Sequence, residues 1–406
     1  MKATVKTDNL DYPEALDAVL ACARPVEIER LGIAEARSRV LAEDIVAPRA
    51  FPDTRRSAVD GYALGSLGLT QYTLAQTLAA EDLPQSPLAA EAAAAVMTGA
   101  TVPDGAVAVV RVEDVTVDGR RVVPEATVKP GENINAIGEE AAEGQPVLQQ
   151  GQRLDAIAYS VLCYMGIARA KVYRRPRVGV LITGNELLRP GQPHRPGMVH
   201  ESNGYLLQSV LEKLGIEPLM RGPVADSPGE LGATLNELAR QSDLVVTSGG
   251  VSMGKFDFIR PLLHEAGYRV LVDRTKIKPG RPLLVAERDR TLFFGMPGYP
   301  AAFLVNLFVY LLPVLKRLCG LENVGPLWQK AILAAPVKGR AGRWDMIRTQ
   351  LHTAGGGLVA RPASSQLTSH YLNMANADGL IVLDKDCAQC PEKSEVDVLK
   401  FSWAFE

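Results

Sequence analysis

The chain has 406 residues, of which 47% are hydrophobic and 22% charged, and its formal net charge is −2. This composition is that of a soluble globular protein with several domains. The near-neutral charge provides no global basic field, so we expect neither nucleic acid nor a membrane as a partner. An anionic ligand would have to be met by local charge.

The N-terminal sequence and the cysteines both suggest a cytoplasmic protein. The stretch MKATVKTDNLDYPEALDAVL has acids and a proline where a signal peptide needs an unbroken apolar run. Five scattered cysteines fit a reducing compartment without a disulfide framework. Cys387 and Cys390 form a CxxC pair, but no nearby Cys or His completes a zinc site. A surface turn is therefore favoured over a metal site.

Residues 46–145 contain short alternating segments, such as AVAVVRVEDVTVDGRRVV, between turn signals. This pattern predicts a small β-rich domain. The Ala-rich stretch at 89–96 is typical of a helix or a packed connector. The segments 25–45 and 146–175 look helical or extended and bracket the β-rich domain, which suggests that this domain is an insertion.

Residues 176–320 alternate strand and helix, which predicts a doubly wound, mainly parallel sheet. The predicted strands include PRVGVLIT, DLVVTS, YRVLVD and TLFFG. A helix over 228–241 is expected to be capped by Asp226. The apolar stretch 301–315 is short for a membrane span and contains Asn306, so it predicts a buried core helix. Residues 326–406 again show short strands, which suit a β-barrel or a sandwich.

Three Gly-rich loops follow predicted strands of this sheet: TGNEL (183–187), SGGVSMGKFD (248–257) and GMPGYP (295–300). Ligands bind outside the carboxyl ends of strands in open α/β sheets, and consecutive backbone N–H groups can hold an anion. Glu186 and Asp257 lie in or just after such loops. Asp257 would suit either the N-cap of the next helix or a divalent cation that bridges phosphates. Both alternatives remain open on spacing alone.

The segment KIKPGRP brings Lys276, Lys278 and Arg281 together around a Pro-Gly turn. It is either a solvated basic turn or a clamp for an oxyanion. In the β-rich domain, Asp60 lies in an Asp-Gly turn, and MTGATVPDG is a similar element; each is an ordinary turn by itself. No Ser-His-Asp, Walker or zinc-binding His pattern is visible.

Seven motifs occur in a fixed order: SAVDGYAL, MTGATVPDGAVAVV, GENI…GEE, TGNEL, SGGVSMGKFDF, KIKPGRP and GMPGYP. The series resembles the molybdopterin molybdenumtransferase family, which includes the E domain of gephyrin, from about residue 10 to 400. The resemblance implies a molybdopterin-binding α/β domain with a doubly wound, mainly parallel sheet, an extended linker domain, an inserted β-rich domain and a C-terminal β-barrel. The expected boundaries are, in that order, 1–24 with 176–322, 25–45 with 146–175, 46–145, and 323–406.

The family inserts molybdate into adenylylated molybdopterin and releases AMP with the help of Mg²⁺. The resemblance therefore implies molybdate and adenylylated molybdopterin as substrates, Mg²⁺ as a cofactor, and a homodimer whose subunits share the active site. Other proteins of cofactor biosynthesis would be further partners. Positioning and electrostatics, rather than a covalent nucleophile, would carry the rate.

The site residues follow from the same motif match. The resemblance implies a catalytic set of Asp60, Glu186, Asp257 and Lys278, with Mg²⁺ on Glu186 and Asp257. It implies molybdate on Lys278, Arg281, Arg348 and Ser369. It implies substrate contacts from Thr98, Glu140, Thr183, Asp226, Gly249, Gly250, Ser252, Pro297 and Pro300. Asp60 and Thr98 would reach the site from the partner subunit.

The chain departs from the family pattern at three places. Asn135-Ala136-Ile137 stands where many relatives have arginines, Glu140 stands where Asp is usual, and Tyr299 and Ala302 replace the Asn and Ser of PGNPVS. A pterin-binding or scaffold protein without catalysis, or a variant that handles tungstate, is the alternative function. The related adenylyltransferase is disfavoured, because it would show GGTG where this chain has GGVS.

Overall fold

The computed structural model describes residues 7–251 and 258–402. The chain folds into two units. The larger comprises residues 1–42, 151–159 and 169–406, and the smaller comprises 43–150 and 160–168. The predicted boundaries of the four domains stay a prediction.

A seven-stranded sheet lies at the centre of the larger unit. Its strands are, in spatial order, Asp8–Leu10, Arg269–Thr275, Leu284–Arg288, Thr291–Met296, Leu244–Ser248, Val178–Thr183 and Leu219–Val224. All of them run parallel except Leu284–Arg288, which is antiparallel to both neighbours. The mainly parallel sheet is therefore confirmed. The sequence patterns did not reveal the strands at Asp8–Leu10 and Leu284–Arg288.

Helices cover both faces of this sheet, as a doubly wound fold requires. One apolar core includes Val180 and Ile182, and the opposite core includes Leu181, so successive residues of one strand point to opposite faces. The helices are Tyr12–Cys22, Asn203–Lys213, Pro228–Gln241, Ile259–Glu265, Pro300–Asn306 and Leu312–Leu318.

The apolar helix is a core helix, as predicted. It runs without a break over Pro300–Leu318, with a π-helical segment at Leu307–Leu311. Of its most apolar 18 residues, 94% are buried. Within it, Asn306 is completely buried and donates from Nδ2 to the carbonyl of Pro282 at 2.9 Å. A polar side chain in an apolar helix thus holds the turn that follows Arg281.

A closed barrel forms in the C-terminal part of the larger unit. Its strands are, in order, Trp344–Ala354, Gly357–Pro362, Gln329–Leu333, Glu395–Lys400 and Gly379–Leu383, and the last pairs again with the first. The barrel alternative of the sequence prediction is therefore correct. The short strand Ile277–Lys278 pairs with Trp344 and Asp345, so the barrel touches the basic segment directly.

The smaller unit contains a six-stranded sheet, in agreement with the predicted β-rich domain. Its strands are, in order, Ala108–Arg111, Gly61–Leu64, Ala92–Val96, Tyr72–Leu78, Arg121–Pro124 and Val115–Asp118. The helix or connector expected at 89–96 is wrong, since Ala92–Val96 is an inner strand. Small, mostly buried side chains fit between its two neighbours, and tertiary packing outweighs the helix propensity of alanine.

The remaining elements are short. Among the described residues, five further two-stranded pairs are Ile28–Gly32 with Arg169–Tyr173, Ile45–Val46 with Pro146–Leu148, Arg56–Ser57 with Ile134–Asn135, Leu187–Leu188 with Val199–His200, and Val337–Lys338 with Gln389–Cys390. The remaining helices are Ile33–Ala36 and Ala156–Tyr164, with 3₁₀ turns at Val112–Asp114 and Leu372–Asn376.

Candidate functional site

Three neighbouring parallel strands end at one cleft of the larger unit, with a volume of ≈ 690 Å³. The loops that begin at Thr183, Ser248 and Pro297 line it, as expected for the carboxyl edge of an open α/β sheet. We call it the acid cleft, because its lining includes the carboxylates of Glu186, Glu201 and Asp226. The predicted convergence of the Gly-rich loops is thus present in the described residues.

Thr183 and Asp226 form a contact at the floor of the acid cleft. The hydroxyl of Thr183 donates to the carboxylate of Asp226, and the backbone N–H of Asn185 donates to the same carboxylate at 3.4 Å. The Asn185 side chain in turn accepts from the backbone N–H of Asp226 at 3.2 Å. Two strand ends are therefore joined by a hydrogen-bonded pair of predicted substrate-binding residues.

The predicted cap role of Asp226 is wrong. The helix Pro228–Gln241 is capped by Ser227, whose hydroxyl accepts from the backbone N–H of Glu230 at 3.4 Å. Because the helix cap is one residue later than predicted, the Asp226 side chain is not used by the helix and contacts Thr183 instead. Its presence in the cleft is consistent with the substrate contact that the resemblance implies.

Gly249 allows the backbone to pass close to Thr183. Its φ is +96°, and a Cβ at this position would lie 2.9 Å from the carbonyl oxygen of Thr183. Only glycine fits both the backbone conformation and the space. Gly250, Pro297 and Pro300 also line the acid cleft, where the resemblance places substrate contacts.

Two polar residues of the acid cleft were missed. Asn203 donates from Nδ2 to the hydroxyl of Ser248 at 2.8 Å and to the carbonyl of Gly298 at 2.9 Å. Its Oδ1 is buried and has no hydrogen-bond partner among the described residues. Burial raises the pKa of Glu201, although the N–H groups of Gly204 and Asn203 oppose the rise. The sequence ESNG signalled only a helix start.

Ser252 and Asp257 lie outside the described residues, so their predicted roles stay predictions. Glu186 is exposed, and its carboxylate accepts no hydrogen bond within the described part of the chain. No group of three metal-ligating side chains occurs among the residues that were described. A single free carboxylate is compatible with Mg²⁺, which is commonly held by one or two carboxylates, waters and substrate phosphates.

A second cleft, of ≈ 570 Å³, is lined by five cationic side chains. We call it the cationic cleft; the five are Lys276, Lys278, Arg281, Arg340 and Arg343. Lys276 pairs with Asp11 at 3.2 Å, and Arg343 pairs with Asp345 at 2.9 Å. The other three are exposed and form no ion pair within the described ranges 7–251 and 258–402. Local charge suited to an oxyanion is therefore present, although the chain as a whole is slightly acidic.

The two clefts adjoin. Pro282, Pro297 and Tyr299 line both of them. Tyr299 is 65% exposed, so its ring stands at the junction, and Ala302 contributes a methyl group to the cationic cleft. A ligand with an organic part and an anionic part can occupy both clefts at once.

Arg348, for which the resemblance implies a contact with molybdate, has an internal side chain. It is 1% exposed and lines neither cleft. Its guanidinium donates to the backbone carbonyls of Ser365, Leu367 and His370 at 3.1, 2.9 and 2.8 Å. The side chain is internal because it supplies hydrogen-bond donors to the backbone carbonyls of a loop that has no regular structure. Arg348 thus positions residues 365–370, and its predicted contact with molybdate stays a prediction.

The loop that Arg348 holds contributes to both clefts. Thr368 lines the cationic cleft, whereas Ser369 and Tyr371 line the acid cleft. Ser369 therefore lies at the site, as the resemblance implies, but in the acid cleft. Its predicted contact with molybdate stays a prediction.

In the smaller unit, the structure brings Asp60 and Thr98 together. The backbone N–H and the hydroxyl of Thr98 donate to the Asp60 carboxylate at 2.6 and 2.9 Å. The backbone N–H, and after it the hydroxyl, lower the pKa of Asp60. Glu140 is exposed and accepts from the Tyr164 hydroxyl at 3.3 Å, beside a separate cleft of ≈ 310 Å³.

Replacing Thr98 by valine is expected to raise the pKa of Asp60 without returning it to its ordinary value. The hydroxyl is lost, whereas the backbone N–H still donates to the carboxylate. A ¹³C-detected titration of the aspartate carboxyl groups would measure the shift. Thr101→Val is the matched control, because Thr101 contacts Thr54 and not Asp60. An unchanged Asp60 pKa in Thr98→Val would contradict the prediction.

Cys387 follows the turn at Lys385 and Asp386, Cys390 ends the short strand Gln389–Cys390, and all five cysteines are free. Both are half-buried against the barrel core. The backbone N–H of Cys387 donates to the carboxylate of Asp384 at 2.9 Å, which fixes the turn. The predicted surface turn thus adjoins Cys387 but does not include Cys390, and both cysteines are partly buried.

Three family models match the chain. They are the MoeA N-terminal region (domain I and II) over residues 10–166, a probable molybdopterin binding domain over 179–317, and the MoeA C-terminal region (domain IV) over 330–401. The molybdopterin molybdenumtransferase of Haemophilus influenzae is 36% identical over 80% of this chain and 81% of its own length. The molybdopterin molybdenumtransferase 2 of Mycobacterium tuberculosis is 31% identical over 96% and 98%.

Solved structures give the same result. The MoeA protein of molybdopterin biosynthesis from Pyrococcus horikoshii is 27% identical, with a TM-score of 0.83 over 97% of this chain and 100% of its own. The fold and the site thus define a multidomain protein built on a molybdopterin-binding α/β domain. The chain belongs to the molybdopterin molybdenumtransferase family, also called MoeA.

Proposed function

We propose that the protein acts in molybdenum cofactor biosynthesis as a molybdopterin molybdenumtransferase. It inserts molybdate into the dithiolene of adenylylated molybdopterin and releases AMP. The observation that carries this proposal is the junction of the acid cleft with the cationic cleft at Pro282, Pro297 and Tyr299. The names of the relatives support the same reaction.

The acid cleft would bind the pterin and its nucleotide. The backbone at Gly249 and Gly250 can approach the substrate closely. Glu186 would hold Mg²⁺, which would neutralise the phosphates during AMP release. Asp257 and Ser252 would complete this set.

The cationic cleft would bind molybdate. Lys278 and Arg281 extend from one turn, and the turn is fixed by the hydrogen bond from Asn306 to Pro282. Preorganised cations stabilise the charge of the oxyanion while its molybdenum is transferred to the sulfur atoms. Holding both substrates at adjoining sites converts an encounter in solution into a reaction within one complex.

We further propose a cytoplasmic homodimer in which Asp60 and Thr98 of one subunit complete the site of the other. Their mutual hydrogen bonds and their exposure on the smaller unit suit a contact with substrate. Sedimentation of the purified protein would test the dimer. Mixed dimers of Asp60→Ala and Lys278→Ala subunits should recover part of the activity if the site is shared.

The reaction itself can be assayed directly. Purified protein with adenylylated molybdopterin, Mg²⁺ and molybdate is expected to release AMP. Lys278→Ala and Arg281→Ala should each lower the rate roughly 10- to 100-fold, the effect of one lost charge-assisted hydrogen bond. Arg361→Ala is the control, because Arg361 is exposed on the barrel and lines neither cleft.

The controls of this assay separate the alternatives. Chelation of Mg²⁺ should stop AMP release, and tungstate in place of molybdate tests the choice of metal. Bound substrate without any AMP release would reject the enzyme and favour a pterin-binding protein.

A further inference from the structure

Arg340 is a cation of the cationic cleft to which the sequence motifs assign no role. Arg340 lies between the strands Val337–Lys338 and Trp344–Ala354, in a loop of the barrel. It lines the cationic cleft together with Lys278 and Arg281. Its side chain is exposed and has no ion pair among the described residues.

The backbone of this loop is fixed at three points. The N–H of Arg340 donates to the carboxylate of Asp345 at 2.9 Å. The N–H groups of Gly339 and Gly342 donate to the carbonyls of Ala388 and Lys385 at 3.1 and 2.8 Å. The start of the Arg340 side chain is therefore held in place, while its guanidinium remains free to meet a ligand.

Three other cations near Arg340 already have partners within the protein. Arg343 forms an ion pair with the buried carboxylate of Asp345, and Lys276 forms one with Asp11. Arg348 is internal and donates to backbone carbonyls. Of the described cations that line the cationic cleft, Arg340 is from the barrel and has no ion pair.

We propose that Arg340 binds the oxyanion directly, as the third cation beside Lys278 and Arg281. This inference rests on the proposed function. Three free cations from two parts of the fold favour a tetrahedral dianion over a monoanion, because each adds an attraction that scales with ligand charge. The planar guanidinium can donate two parallel hydrogen bonds to two oxygens of one ligand.

Direct binding of molybdate tests the proposal without any pterin substrate. Equilibrium dialysis with the purified full-length protein is expected to show roughly tenfold weaker binding for Arg340→Gln than for the unchanged protein. Arg340→Lys should retain part of the affinity, because it keeps the positive charge but loses the two parallel N–H donors of the guanidinium. Arg361→Gln is the matched control and should bind molybdate normally. Thermal unfolding should be unchanged in all three variants.

The outcomes distinguish this inference from the proposed function. Normal molybdate binding by Arg340→Gln, together with weak binding by Lys278→Gln, would overturn the role of Arg340 alone. Equal losses in Arg340→Gln and Arg361→Gln would also overturn it, since only general surface charge would then matter. If the unchanged protein binds no molybdate, the proposed function itself fails.

Discussion

Replacing Arg348 by methionine is expected to lower the free energy of unfolding by about 1–3 kcal/mol and to weaken both substrate sites. The buried guanidinium donates to three backbone carbonyls of the loop 365–370. Without it, the carbonyl of His370 loses this donor, whereas the carbonyls of Ser365 and Leu367 keep the Asn373 side chain and the His370 N–H as donors. Methionine retains much of the side-chain volume, so the loss is electrostatic rather than a cavity.

The expected loss of substrate binding in Arg348→Met follows from the position of the loop 365–370 and the adjacent Tyr371 at both clefts. Thr368 faces the cationic cleft, and Ser369 and Tyr371 face the acid cleft, so a displaced loop affects both. Denaturant unfolding measures the stability, and equilibrium dialysis measures molybdate and molybdopterin binding separately. Arg361→Met is the control on the same barrel. A variant of normal stability that loses only molybdate binding would support the direct contact between Arg348 and molybdate that the resemblance implies.

Arg348 illustrates what could not be predicted from the sequence. Its motif indicates that the arginine matters, but whether the guanidinium faces a ligand or the backbone depends on a loop that is distant in sequence. Arg340 illustrates the reverse case. No spacing connects it with Lys278, and the strand pairing of Ile277–Lys278 with the barrel brings the two together.

The local signals were more successful where one interaction dominates. The buried strand Val178–Thr183 was predicted from an apolar run, and its loop was predicted to lie at the site because parallel strands align their carboxyl ends. The sequence prediction for Ala92–Val96 failed because alanine has a high helix propensity and the decisive force is close packing between two strands. Asp226 was misassigned by one residue, since Ser and Asp cap helices about equally well.

Replacing Gly280 by alanine is expected to weaken molybdate binding at least tenfold and to cost about 2–4 kcal/mol of stability. Gly280 has a φ of +116° and lies between Lys278 and Arg281. A Cβ there would lie 2.4 Å from Oδ1 of Asn306 and 2.9 Å from Cδ1 of Ile277. Since Asn306 is buried and holds Pro282, the turn itself would have to move.

Gly356 provides a matched control for the backbone effect. It lines neither cleft and has a φ of +79°, but a Cβ there would meet nothing within 4 Å. Gly356→Ala should therefore show only the strain of the left-handed backbone, about 1–2 kcal/mol, with little change in molybdate binding. Equal effects at Gly280 and Gly356 would contradict the steric explanation.

The contact with Asn306 can be tested by a double-mutant cycle. Asn306→Ala alone should destabilise the protein, because the carbonyl of Pro282 loses its buried donor. The same change makes room for the added methyl group, so Gly280→Ala should cost less in the Asn306→Ala background than in the original chain. Unfolding free energies of the four proteins measure this difference. Additive costs would show that Asn306 does not confine the turn, and its assigned role in placing Lys278 and Arg281 would then be wrong.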